Sequence, residues 1–337
     1  MDRHSHLLVS AARALPKLAL SAGVLIVLLE VSARLIIFGP MGLDPRRVGI
    51  LRDLDPRELV TYDTDPGVLY EYKPNLDVFF KLVPFRTNSR GMRDKEYEVV
   101  NPTDTYRVAV LGSSFALPAG VEIEAAFHSL LEERLSLEFA PTSYEFLNFS
   151  VGLHGPSQFI AMLRHRALAF DPDLILFSVT VMSAPRLLAD WDSLPARNVL
   201  DLVAPGGPRS YFLRLIEARL MLKPLPFDTR SPQYPRDIAK QANVITKLGE
   251  ISRETGIPVV VVRLEIDPEG PSSAERAIER RVEAEGLFYV DTRHAFRAKK
   301  PRDFWIYELD PHPNCEAHAI FADVLEDFLR THDLLGL

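Results

Sequence analysis

Between Arg107 and Asp291, five short apolar runs alternate with longer stretches of helical pattern, and this alternation confines the chain to one fold class. The runs are Arg107 to Leu111, Tyr144 to Phe149, Leu174 to Thr180, Pro258 to Leu264 and Leu287 to Asp291. Between them lie Ala125 to Leu135, Ser157 to Ala169, Asp237 to Glu254 and Ser273 to Glu285, with apolar residues at helical spacing. Such an order predicts βαβ units with right-handed crossovers: a three-layer α/β/α sandwich around a five-stranded, mainly parallel sheet. With 47% apolar and 25% charged residues, the 337-residue chain can bury one large core and is not a disordered polymer.

Ahead of the alternation the composition differs. Leu18 to Leu29 is nearly uninterrupted apolar sequence, followed by Glu30, Arg34 and Leu35-Ile36-Ile37-Phe38. As a helix this segment spans roughly 30 Å, about one hydrocarbon thickness. A central charge costs about 3 kcal/mol on insertion scales, but an i,i+4 acid–base pair partly neutralises itself. Arg3, Arg13 and Lys17 precede the segment and no small-x-small cleavage signal follows it, so residues 18–38 are expected to be an uncleaved single-pass membrane anchor. The basic end inside would put the rest of the chain on the extracytoplasmic, periplasmic side, although Arg46, Arg47 and Arg52 dilute that bias. A buried or amphipathic helix of a soluble protein is the alternative.

The expected division is therefore a tail and anchor at 1–38, a juxtamembrane β-rich cap at 39–105, and an α/β domain at 106–337. The cap carries strand-like runs at Val68 to Tyr72 and Val78 to Val83. A Pro-bounded insertion at about 204–235 encloses an apolar helical segment, Tyr211 to Leu222, suited to a lid or to covering the core. Acidic residues outnumber basic ones, 46 to 39, for a formal charge of -7, so no general basic face invites nucleic acid. Cys315 is the one cysteine, which excludes an intrachain disulfide and leaves the compartment open.

Two motifs carry chemistry. Gly112-Ser113-Ser114-Phe115 follows the run Val108 to Leu111, which puts Ser114 on the turn past the carboxyl end of a strand, where open α/β sheets bind ligands. Asp310-Pro311-His312-Pro313-Asn314 places a carboxylate and an imidazole two positions apart on a loop leading into the helix-like Glu316 to Arg330. His312 can act as base toward Ser114 while Asp310 orients the ring. Each has a structural alternative: Ser114 as a turn or cap residue, Asp310 as a helix N-terminal carboxylate, His312 as a solvated loop residue. Asp291 and His294 form a rival pair, read as structural. Asp310, His312, Cys315 and His318 have zinc-like spacing, but the Pro-Asn turn separates them and no second cluster closes the site, so no metal and no cofactor is expected.

On these residues the stretch from Arg107 onward resembles the SGNH/GDSL hydrolase superfamily, its membrane-anchored bacterial branch in particular. The resemblance rests on Gly112-Ser113-Ser114, the helix-like Phe127 to Leu135, Asn148-Phe149-Ser150-Val151, Asp310 to Asn314, and Asn88-Ser89-Arg90-Gly91-Met92-Arg93 ahead of the first strand. It implies a triad of Ser114, His312 and Asp310, with an oxyanion hole built from the backbone N–H of Ser114 and of the Gly152-Leu153 loop. There are two departures. Leu153 stands where the family has Gly, and Met182-Ser183 stand where an Asn-Asp pair is expected. A thioether cannot donate a hydrogen bond, and losing one oxyanion donor typically costs about a hundred- to a thousandfold in turnover unless Ser183 or Thr180 substitutes. The implied function is a serine-dependent ester hydrolase of the cell envelope acting on an acylated or acetylated glycan or a small-molecule ester. The alternatives are an O-acyltransferase using the same triad and a catalytically impaired binding or scaffold protein. A nucleotide-binding domain is disfavoured because Gly112-Ser113-Ser114 lacks both a Gly-x-Gly-x-x-Gly pattern and a phosphate-loop Lys.

Overall fold

The computed structural model describes residues 3–44, 58–62, 65, 67–81, 83–179, 210–219, 234–268 and 273–336. Five parallel strands form the centre: β5 (Thr105–Leu111), β6 (Ser143–Asn148), β7 (Leu174–Ser178), β8 (Val259–Arg263) and β9 (Phe288–Asp291). Their spatial order is β6-β5-β7-β8-β9, so the chain reverses direction across the sheet beside β5. Val108 pairs with Phe146 on one side and Leu174 on the other. Both neighbours of β5 are filled, and its carboxyl end opens at the topological switch point.

Strand periodicity sorts the core into two layers. Val108, Val110, Phe146, Leu176 and Val260 face α2 (Phe127–Glu138) and α7 (Cys315–Thr331) through Leu131, Phe321 and Leu325. Ala109, Leu111, Leu147, Phe177 and Val261 face α3 (Pro156–His165), α5 (Tyr234–Thr255) and α6 (Ser273–Ala284) through Phe159, Ile245, Leu248 and Val282. The chain ahead of β5 joins this second layer, with Val60, Tyr70, Tyr72, Phe85 and Met92 packed in the same cluster. These residues come from two antiparallel hairpins, β1 (Val60–Tyr62) with β2 (Tyr70–Tyr72) and β3 (Asp77–Phe80) with β4 (Val83–Arg86). The run Val78 to Val83, expected as one strand, is therefore a hairpin turning at Lys81, whose φ of 49° is left-handed.

The long N-terminal helix α1 (Arg3–Phe38) has a stretch from Leu15 to Leu43 of mean hydropathy 2.2, long and apolar enough to cross a membrane, and exposes Leu18, Leu20 and Ile26. One face of its last turns is buried: Ala33, Ile37 and Phe38 cluster with Tyr211 at the start of α4 (Tyr211–Arg219). Glu30 holds the amino end of α4, accepting from Ser210 Oγ at 2.8 Å and from the backbone N–H of Tyr211 and Phe212 at 3.2 Å, while Arg34 donates to it at 3.2 Å. The charge pair read from the sequence as self-neutralising also caps a helix. Beyond α4 and the start of α5, the expected insertion lies outside the described residues.

A third hairpin, β10 (Trp305–Tyr307) with β11 (Asp310–Pro313), precedes α7. The Asp310–Asn314 segment expected as a loop is thus largely a strand, and Asn314 caps α7 by accepting from Ala317 N at 3.0 Å.

Candidate active site

The turn after β5 is compressed. A Cβ on Gly112 would lie 2.6 Å from Ala116 Cβ and 2.9 Å from Ser178 Cβ, so only glycine fits between the turn and β7. Ser113 is buried and its carbonyl accepts from Leu117 N at 2.9 Å; Ser114 is half-buried and its carbonyl accepts from Ala119 N at 3.1 Å. Arg93, itself buried, donates to the carbonyls of Leu117 at 2.9 Å and of Pro118 and Val121 at 2.6 Å, which holds the chain leaving Ser114 in place. Burial lowers its guanidinium to about 10.

The loop after β6 lies against this turn. Val151 N donates to Gly112 O at 3.3 Å, and Asn148 donates from Nδ2 to Ala116 O at 2.9 Å while its Oδ1 accepts from Ser150 N at 3.0 Å. Gly152 N–H, expected as an oxyanion donor, is already given to the Tyr72 hydroxyl at 3.1 Å, and Tyr70 Oη donates to Gly152 O at 3.0 Å. Leu153 sits at φ 68°, the left-handed conformation that glycine adopts without strain. His154 is buried with Nε2 3.0 Å from Tyr70 O, and burial pushes its imidazole down to about 3.

Strand β11 brings Asp310 and His312 together. Asp310 Oδ1 contacts His312 Nδ1 and accepts from His312 N at 3.1 Å. Its Oδ2 accepts from Lys81 Nζ at 2.7 Å, and the same ammonium stands 2.9 Å from His312 Nδ1. Burial alone would raise the Asp310 carboxyl, but His312 and Lys81 outweigh it and hold that carboxyl well below the usual carboxylate range. Burial lowers the His312 imidazole, Asp310 opposes and Lys81 reinforces, with a net shift downward. The Tyr307 hydroxyl beside Asp310 is pushed far above its usual range, by burial first and by that carboxylate second.

The His312 ring packs edge-on against Phe115, centroids 5.6 Å apart, and so reaches the residue next to Ser114. No hydrogen bond joins Ser114 Oγ to His312 among the described residues. In substrate-free sites such bonds are often long and tighten only on binding. Thr180, Met182 and Ser183 lie outside the described residues. In the rival pair, His294 Nδ1 contacts the backbone carbonyl of Asp291 at 2.7 Å, while the Asp291 carboxylate binds Arg293. His318 is buried and stacked on Phe127, with Nδ1 accepting from Phe127 N at 3.4 Å, and Cys315 is exposed. No group of three or more His, Cys, Asp or Glu side chains is arranged to hold a metal among the described residues. A cavity of about 290 Å³ lined by Glu71, Ser89, Arg90, Met92 and Ser150 includes neither Ser114 nor His312.

Sequence reasoning missed Lys81 and Arg93 as parts of this site. Lys81 offers one local hint, a charge interrupting Val78-Phe79-Phe80; Arg93 closes the Asn88 to Arg93 motif.

No protein-family model matches the sequence, and no curated protein matches it. Among solved structures the chain is similar to TesA, at 14% identity and a TM-score of 0.44 over 67% of this chain and 98% of that one. It is also similar to an acetylxylan esterase from Geobacillus stearothermophilus, at 12% identity and 0.42 over 67% and 93%. A third is the psychrotrophic esterase EstA from Pseudoalteromonas sp., at 14% identity and 0.42 over 67% and 97%.

Proposed function

We propose that the protein is a serine-dependent acyl-ester hydrolase. The observation that carries this reading is the Asp310–His312 pair on β11, whose ring packs on Phe115 beside Ser114 at the carboxyl end of the central strand. In this mechanism neutral His312, its Nδ1–H held by Asp310, takes the Ser114 proton through Nε2 as Ser114 Oγ attacks the ester carbonyl. The oxyanion is received by the N–H groups of Ser114 and Leu153, with Gly152 joining once Tyr72 releases it. Collapse expels the alcohol, which takes the proton back from His312, and water then cleaves the acyl-serine by the same base. If a sugar hydroxyl replaces that water, the same residues form an O-acyltransferase.

The resemblance of the motifs and the apolar helix α1 support an envelope setting, with the site on the extracytoplasmic side and an acylated or acetylated glycan as substrate. The second reading is a binding or scaffold protein that keeps the triad residues without turnover. The engaged Gly152 amide and the absence of a Ser114–His312 hydrogen bond favour it.

Fluorophosphonate labelling of the full chain in detergent separates the two. The hydrolase reading expects an adduct that is lost in Ser114→Ala and kept in Ser113→Ala. No adduct in the wild-type protein overturns it in favour of the binding reading.

A further inference from the structure

The hairpin β3–β4 inserts a cation into the catalytic pair. Lys81 Nζ lies within hydrogen-bond distance of both Asp310 and His312, 2.7 Å from Oδ2 and 2.9 Å from Nδ1, although it is 229 and 231 residues away in sequence. Its side chain is only 17% exposed. Gly120, φ 89°, borders the seat: a Cβ there would stand 3.4 Å from Lys81 Cβ, an ordinary contact, and 2.5 Å from Ile306 Cδ1 of β10.

An ammonium only donates. A Lys81–Nδ1 hydrogen bond therefore requires the His312 tautomer with its proton on Nε2, which cannot take a proton from Ser114. The Asp310–Nδ1 bond requires the opposite tautomer, with Nε2 free. Lys81 and Asp310 compete for the ring, and the positive charge at 2.9 Å opposes formation of imidazolium.

We infer that Lys81 is a positioning residue of the triad, acting through Asp310 and His312 to lower the proton affinity of the ring so that it stays a neutral base in acidic surroundings. This inference rests on the hydrolase reading. The groups facing the pair are Asp310 on the same strand, Tyr307 from β10, Phe115 from the turn after β5, His318 from α7 and Lys81 from the hairpin. Of these, Lys81 is the cation in direct contact. The downward shift of the His312 imidazole, with Lys81 among its causes, agrees.

The test is a titration of the His312 ring by NMR on the full chain in detergent, in a Ser114→Ala background, with the signal assigned by its loss in His312→Gln. Beside it runs the pH profile of p-nitrophenyl acetate cleavage with Ser114 intact. Lys81→Met is expected to raise the ring midpoint by about one pH unit, and to move the acid limb of kcat/KM by the same amount, about a tenfold loss of rate below it. Lys81→Arg keeps the charge and leaves both near the wild-type position. An unmoved ring midpoint in Lys81→Met overturns the role of Lys81. A raised midpoint in a protein with no Ser114-dependent cleavage or labelling overturns the hydrolase reading instead, and reduces Lys81 to a brace of the Asp310 carboxylate.

Discussion

At Gly112 the chain must pass between Ala116 and Ser178 with no room for a methyl group, and neither obstructing Cβ can swing aside. Gly112→Ala is expected to cost about 1–3 kcal/mol of stability by overpacking and to displace the Ser114 backbone, abolishing fluorophosphonate labelling. Urea unfolding together with labelling checks this; wild-type values in both would show that the turn has slack. Leu153 shows the opposite economy, since a side chain occupies a left-handed position where the resembled family has Gly, and the loop keeps its form through Tyr70 and Tyr72 instead. Those tyrosines were invisible from local sequence because their role is a contact 80 or more residues away. The placement of Ser114 just past β5 and of Asp310 beside His312 was legible because each motif fixes its local geometry within a few positions. Lys81 was not: nothing within its own turn announces a partner 229 residues downstream.

Among elements, the five parallel strands were readable to within one or two residues because each is a short apolar run bounded by helical pattern. The three antiparallel hairpins were harder. The turn at Lys81 carries no Gly, Pro or Asn signal, and Asp310-Pro311-His312-Pro313 looks like a loop because proline is excluded from central strands. A two-stranded hairpin has only edges, so both prolines of β11 are tolerated beside β10. What ties these elements to the sheet is Arg93, whose guanidinium reaches three carbonyls of the 117–121 loop from the segment after β4 and lies 4.9 Å from the centre of the Phe85 ring. Arg93→Met would leave the carbonyls of Leu117 and Val121 buried without that donor, Pro118 O keeping Val121 N at 3.0 Å, and a loss of about 3 kcal/mol is expected. Arg93→Lys, a compact donor without the planar fork, should recover only part of it. Hydrogen exchange gives the local readout: amides of Leu117, Ala119 and Val121 should lose protection before those of β5 do. Unchanged protection there would mean that the loop is held by its own turns.

For the molecule as a whole, the buried ionisable groups set how stability responds to acid. Burial lowers His128, His154 and His318 to about 3, and lowers His312 as well; burial raises Asp94 to about 7 and also raises Glu265. A histidine with a depressed folded value binds fewer protons folded than unfolded, so its stabilising effect is present above about pH 6.5 and is lost as pH falls. A carboxyl with a raised folded value does the reverse: its contribution is present at low pH and lost as pH rises through the folded value. Between about pH 4.5 and 6, the three histidines lowered to about 3 favour the unfolded chain on acidification and Asp94 resists, leaving up to two protons net from these four groups. Each proton is worth about 1.4 kcal/mol per pH unit, so stability should fall by roughly 2–3 kcal/mol per unit across this range at most. Below about pH 4 the unfolded carboxyls are protonated too, the resistance ends, and Asp310, held low by His312 and Lys81 despite its burial, adds to the loss. The slope must steepen there. Urea unfolding of the full chain in detergent from pH 7 to 3 measures it. His154→Gln should flatten the profile by about one proton and Asp94→Asn should steepen it by about one; a profile that neither substitution bends would show that these groups titrate alike folded and unfolded.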